Sequence, residues 1–254
     1  MQKALSLIGA ALLLAGSVCA GEPGKPMWSG VYLGVNGGWL GSADDSITNT
    51  ATDTGPAGLG NVFNRGLIPK SVGSSLSGFI GGAQIGYNWQ IGSIVFGVEA
   101  DLDAIRAEKD STTAIFPGSL GTVPFSTAFA RDADWLATVR GRLGVTVTPS
   151  LLGYGTGGFA AGRALVSNGF LCPTCAPPAN TTSPDSALLT GWTAGGGAEW
   201  MFASNWSLKA EYLYVDLGDH STTTVYNYGS RTSSLTSKLS ETENIVRAGL
   251  NYHF

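Results

Sequence analysis

The sequence predicts an all-β fold, an eight-stranded antiparallel transmembrane β-barrel with short periplasmic turns and four long external loops. Three observations carry this. Side chains alternate with a period of two from residue 28 to the C-terminus, the pattern of a strand whose faces meet different surroundings. The connections between alternating segments are short and long in turn. Charged residues make up only 13% of the chain and glycines number 37 of 254, roughly half and twice the usual shares for a soluble protein.

Residues 1–20 read as a cleaved signal peptide. Lys3 supplies a positive start, residues 4–16 are almost wholly apolar, and Val18 and Ala20 place small side chains before a cut at Gly21. The apolar run is too short for a helical membrane anchor. A lipoprotein reading through Cys19 is weakened by Val18 immediately before it. Residues 21–27 are then a short periplasmic segment and 28–254 one barrel domain, because no linker interrupts the strand pattern.

The first strand, 28–40, sets Val31, Leu33, Val35 and Trp39 on one parity and Tyr32, Gly34, Asn36 and Gly38 on the other. In the second, 78–89, Phe79, Ala83, Ile85, Tyr87 and Trp89 oppose Gln84, Gly86 and Asn88. After a tight connection at 90–93, the third opposes Ile94, Phe96, Val98, Ala100 and Leu102 to Glu99, Asp101 and Asp103. The fourth, 134–147, carries Trp135, Ala137, Val139, Leu143, Val145 and Val147, with Thr138, Arg140, Arg142 and Thr146 between them. Pro149, which lacks a ladder donor, marks the next turn. The fifth strand, 151–162, has Leu152, Tyr154 and Ala160 in phase. The sixth covers 189–202, the seventh 206–216 and the eighth 242–254. Loops are expected at 41–77, 104–133, 163–188 and 217–241, and an even strand number puts both chain ends on the periplasmic side. A sheet in hydrocarbon cannot leave its edge groups unpaired, so the last strand must meet the first.

One parity therefore carries large apolar groups and the other carries glycine and nearly all strand charges, which suits a polar interior inside a lipid-facing wall. The inward set includes Glu99, Asp101, Arg140, Arg142, Glu199, Lys209, Glu211, Glu243 and Arg247. Mixed signs in so narrow a space suggest a paired ion network that plugs the lumen, since buried charges need partners. A gated ion path and an acid–base site are the competing readings. Little else favours catalysis: His220 sits in a polar segment, His253 is next to last, and no G-x-S-x-G, H-E-x-x-H or G-x-x-x-x-G-K motif occurs. No catalytic, cofactor or metal residues are expected. The formal charge of −4, without a basic block, argues against nucleic acid as a partner.

Cys172 and Cys175 form a C-P-T-C inside a Pro-rich external segment, without the helix that thiol redox work wants or the extra ligands zinc wants. A small loop-pinning disulfide in an oxidising compartment is the expectation. Trp28, Trp39, Trp89, Trp135, Trp200, Trp206, Tyr212 and Tyr214 fall near strand ends, as interfacial girdles do, with core packing as the alternative.

The last strand ends Arg247, Gly249, Tyr252, Phe254, with Val246, Ala248 and Leu250 on the same parity as the final aromatics. This resembles the C-terminal assembly signal of outer-membrane barrels. The run from Trp28 through Gly38, the segment Gly81–Asn88, Gly191–Glu199 and Asn205–Gly218 together resemble the small outer-membrane protein family of Brucella and rhizobia, an opacity-type eight-stranded barrel. The likeness implies a monomeric surface protein of a Gram-negative outer membrane that contributes to envelope integrity. Its implied partners are outer-membrane lipid and lipopolysaccharide, with periplasmic chaperones and the barrel-assembly machinery during biogenesis. A narrow porin-like channel and a surface ligand- or heme-binding role are the alternatives it leaves open. The long first loop and the C-P-T-C depart from the pattern.

Overall fold

The computed structural model describes residues 27–42, 46–53, 64, 70–73, 77–107, 110–116, 125–172, 179–228 and 231–254. The proposed signal peptide and most of the segment 21–27 lie outside the described residues, as does Cys175.

Among the described residues there are eleven strands: β1 (Gly30–Ser42), β2 (Ser46–Asp53), β3 (Ser71–Gly73), β4 (Ser77–Ile91), β5 (Ile94–Ala107), β6 (Asp110–Phe116), β7 (Phe125–Thr148), β8 (Leu151–Cys172), β9 (Ala179–Ala203), β10 (Trp206–Tyr228) and β11 (Arg231–His253). They form one sheet, antiparallel throughout. The pairing path β1-β4-β5-β7-β8-β9-β10-β11 returns to β1, whose Tyr32 to Ser42 lie opposite His253 to Glu243. Off this path, β2 pairs the distal part of β11, β3 pairs β2, and β6 pairs β7.

Three turns are tight, at 92–93, 149–150 and 204–205. Gly92 adopts a φ of 61°, which a β-carbon would oppose. At the other end the expected loops require correction. Much of 163–188 and 217–241 is strand, because β8, β9, β10 and β11 run on well past the apolar wall. The expected loop 41–77 contains β2 and β3, and 104–133 contains β6 and the first part of β7. These segments are rich in Ser and Thr, and polarity alone had suggested coil. Paired with a neighbour, β-branched Thr extends a ladder in water as readily as Val does. Hydroxyl pairs such as Thr223–Thr236 at 2.9 Å add cross-strand bonds.

The two parities separate as the alternation requires. Val35, Phe79, Ile85, Leu102, Val139, Leu143, Trp192, Leu208 and Val246 are about half or more exposed on the outer face. The inner face is layered. At the turn end lie Trp28, Val95, Leu152, Tyr154 and Met201. Beyond the charged residues comes a second apolar layer of Leu40, Ile80, Leu136, Ala160, Leu213, Val215 and Ile245.

Two sequence expectations change here. Trp28 is not an interfacial residue but wholly buried, its indole donating to the Pro149 carbonyl at 3.1 Å. Counting back from Tyr32 in steps of two places it on the inner parity, so the alternation outweighs the preference of Trp for interfaces. For the same reason Leu152, Tyr154 and Ala160 face inward, leaving Phe159 outside. Of the other aromatics, Trp39, Trp89, Trp200, Trp206 and Tyr212 are exposed and Trp135 and Tyr214 half-buried.

Candidate functional site

The inner-face charges converge between the two apolar layers. Strict alternation aims them there: Glu99, Asp101 and Asp103 from β5, Arg140 and Arg142 from β7, Glu199 from β9, Lys209 and Glu211 from β10, and Arg247 from β11. Inner-face glycines make the room. A β-carbon on Gly86 would collide with the Tyr32 ring, and one on Gly197 with the Tyr154 hydroxyl.

Arg140 is the hub. Its Nη2 lies 2.5 Å from Glu99 Oε1 and 2.8 Å from Asp101 Oδ2, and its Nη1 3.1 Å from Glu211 Oε1. Its Nε donates to Thr138, whose hydroxyl in turn donates to Asp101. Arg247 reaches Asp103 at 2.8 Å, Asp101 at 3.2 Å and Glu211 at 2.8 Å. Lys209 Nζ sits 3.0 Å from Glu99 and 3.7 Å from Glu211. Arg142 pairs with Glu199 at 2.7 Å and lies over Tyr154, its guanidinium carbon 3.9 Å from the ring centroid. Four cations thus face five carboxylates, and the surplus negative charge is met by neutral donors. Tyr32 donates to Glu99 at 2.6 Å and Tyr154 to Glu211 at 3.0 Å, while Ser207 and Asn251 donate to Glu199 at 2.6 and 2.7 Å.

Glu243 is buried, but it lies beyond Ile245 on the external side of the second apolar layer. Several members of the site were not singled out from sequence: Tyr32, Tyr154, Thr138, Ser207, Asn251 and His253, whose Nε2 is 2.9 Å from Ser207 and 3.3 Å from Glu199. Their common signal is inner parity, which was read mainly for formal charges. Among the described residues no group of three or more His, Cys, Asp and Glu side chains could hold a metal ion.

At the C-terminus, Tyr252 stands edge-on to Trp206 and Phe254, with centroids 5.1 and 5.0 Å away. The Phe254 amide donates to the Val31 carbonyl, joining the end of the chain to its first strand. Gly249 faces Lys209 across the β10–β11 ladder. Cys172 closes β8, and the C-P-T-C pairing falls outside the described residues.

The family model for the outer membrane protein beta-barrel domain matches residues 9–254. The chain belongs to this family. As an outer-membrane β-barrel protein, it resembles the 31 kDa outer-membrane immunogenic protein of Brucella melitensis, at 34% identity over 250 residues, covering 95% of this chain and 93% of the relative. It is also similar to the 22 kDa outer membrane protein of Rhizobium leguminosarum bv. viciae, at 35% identity over 139 residues, 55% of this chain and 53% of the other. Among solved structures, the outer membrane protein OprG of Pseudomonas aeruginosa aligns over 89% of this chain and 97% of its own, at 13% identity and a TM-score of 0.47.

Proposed function

We propose that this family member is a closed eight-stranded barrel that serves as a sealed structural and surface element of the outer membrane rather than as a pore. The observation that carries the reading is the layering of the inner face. An ion network whose side chains are almost wholly shielded from solvent lies between two apolar layers. An ion would have to cross both layers and break charge-assisted bonds between them.

The outer face supports the membrane placement. On β4, the advance from Phe79 to Trp89 is about 33 Å at about 3.3 Å per residue, and a tilt of about 40° reduces it to about 25 Å, the height of an outer-membrane apolar band. Both ends of this interval carry aromatic contacts: Trp39 with Phe79 at one, Trp89 stacked on Phe96 at the other. The return of the pairing path to β1 supports closure, as the cost of unpaired edges in hydrocarbon requires. Removal of residues 1–20 and recognition of the segment Arg247, Gly249, Tyr252, Phe254 by the assembly machinery belong to the same reading, as do residence among lipopolysaccharide and a monomeric state.

Single-channel recording of the purified folded protein tests it. Absent or very small conductance is expected. Steady currents of porin size would overturn the sealed-lumen reading in favour of a channel.

A further inference from the structure

We propose that the outer rim carries a binding site for a phosphorylated outer-leaflet glycolipid, with Arg106 and Arg163 taking its phosphate groups and the wall beneath them taking its acyl chains. The inference rests on the outer-membrane orientation above. Arg106 continues the outward parity of Leu102 and Ala104 and is exposed just past the apolar band. Arg163 continues that of Phe159 and Ala161 on β8, with 47% of its side chain exposed. Only β7 lies between these strands, which sets the backbones at the two arginines about 10 Å apart across the sheet.

On β7 the register shifts between Ala133 and Leu136. The bulge leaves Asp134 exposed and Trp135 half-buried between the arginines. Asp134 is 3.6 Å from Arg163, an exposed ion pair that water weakens and a better acceptor can displace. A guanidinium at this level has its stem on apolar wall and its planar donors in the headgroup layer, where a phosphate offers matching acceptors.

Below, small side chains surround an exposed Leu102 on the wall. Gly81 lies opposite Ala104, which lies opposite Trp135, and Ala83 and Ala137 flank Leu102. Phe79 and Trp135 border this patch of small side chains. On the far side of Leu102 lies an apolar groove of about 300 Å³, floored by Ala100 and walled by Val31, Ile85, Tyr87, Val98 and Val139. The groove alone would accept any hydrocarbon chain. The two arginines above it select a lipid with more than one phosphate. A zwitterionic phospholipid brings a single phosphate already neighboured by its own cation.

The test is native mass spectrometry of the folded full chain in detergent, after exposure to bisphosphorylated lipid A, the same lipid stripped of phosphate, or phosphatidylethanolamine. Retention of one bisphosphorylated molecule is expected, falling about tenfold without the phosphates and about tenfold in the Arg106→Gln/Arg163→Gln variant. Asp134→Asn should raise retention by removing the competing carboxylate. Equal retention of phosphorylated and stripped lipid would overturn the site with no variant needed, as would unchanged retention in the double variant. Heat-dependent gel migration separates the two levels of inference. A wild-type protein with no folded band sinks the barrel reading, whereas a folded band with unselective retention sinks only the lipid site.

Discussion

Replacing Arg140 with Met tests whether the interior is held by charge pairing. Arg140 is fully enclosed and touches Glu99, Asp101 and Glu211 at once. Its loss leaves three cations facing five carboxylates. Breaking a buried ion pair typically costs roughly 3–5 kcal/mol. Here Glu99 keeps Lys209, Asp101 keeps Arg247, and Glu211 keeps Arg247 and Tyr154. These remaining partners place the expected loss near the lower end, about 3 kcal/mol, or more than about a hundredfold in the folding equilibrium. Arg140→Met combined with Glu99→Gln removes one charge of each sign, so the double variant should be more stable than the sum of the single losses, by about 0.5–3 kcal/mol. Urea unfolding of vesicle-folded protein, followed by Trp fluorescence and by the folded gel band, measures all three. Stability within about 0.5 kcal/mol of the parent for Arg140→Met, or strict additivity in the cycle, would refute the reasoning.

Gly86→Val should lower the unfolding temperature by forcing the Tyr32 ring away from its hydrogen bond to Glu99, and the parallel change at outward-facing Gly141, where an added β-carbon meets only the Gly157 carbonyl oxygen at 3.9 Å, should be far milder. Deleting Phe254 should reduce the level of protein in the outer membrane without blocking its export, as fractionation would read, because it removes both the terminal aromatic contact with Tyr252 and the closing bond to Val31. Asp219, outside the apolar band, should titrate below the ordinary aspartate range because Lys238 donates to it at 2.7 Å and Ser240 at 2.7 Å. With its carboxyl depressed in the folded state, its contribution is present above the unfolded value and lost as pH falls through the folded one. Protection of amides in the distal β10–β11 hairpin, taken relative to their intrinsic exchange rate at each pH, should therefore fall under acid conditions, and protection that does not change with pH would count against the bond.

Alternation made the wall legible. On β4, Phe79, Ala83, Ile85, Tyr87 and Trp89, and on β5, Ile94, Phe96, Val98, Ala100 and Leu102, all point outward as their shared parity demands. The charges of the inner face were legible by the same count, although their partners were not, since register depends on pairing that one strand's sequence does not encode. The apolar layers were harder to see. Leu40, Ile80, Leu136, Leu213 and Ile245 fall on the inner parity of five strands, where each alone looks like a lapse in alternation. Only their common height turns them into a layer. The distal halves of β9 to β11 were missed because Ser- and Thr-rich sequence lacks a strong apolar period, while the hydrogen bonds that hold it come from the neighbouring strand; distal β8, with one Ser and no Thr in 163–172, is held by its pairing with β9.

Among the described residues, β10 parts from β9 after Asp216, which lies opposite Trp192. Past that point β10 stays with β11 as far as Tyr228, and β9 stays with β8. Gly218, at a φ of 80° with its amide on the Asp216 carboxylate, turns the strand at the parting. Above it, each strand presents an edge of amides and carbonyls that only water or another polar surface can satisfy. The fork therefore acts as a depth gauge. Hydrocarbon must end at or below the level of Trp192 on that side of the wall, and a thicker bilayer could be matched only by thinning around the protein or by tilting it, never by submerging the fork.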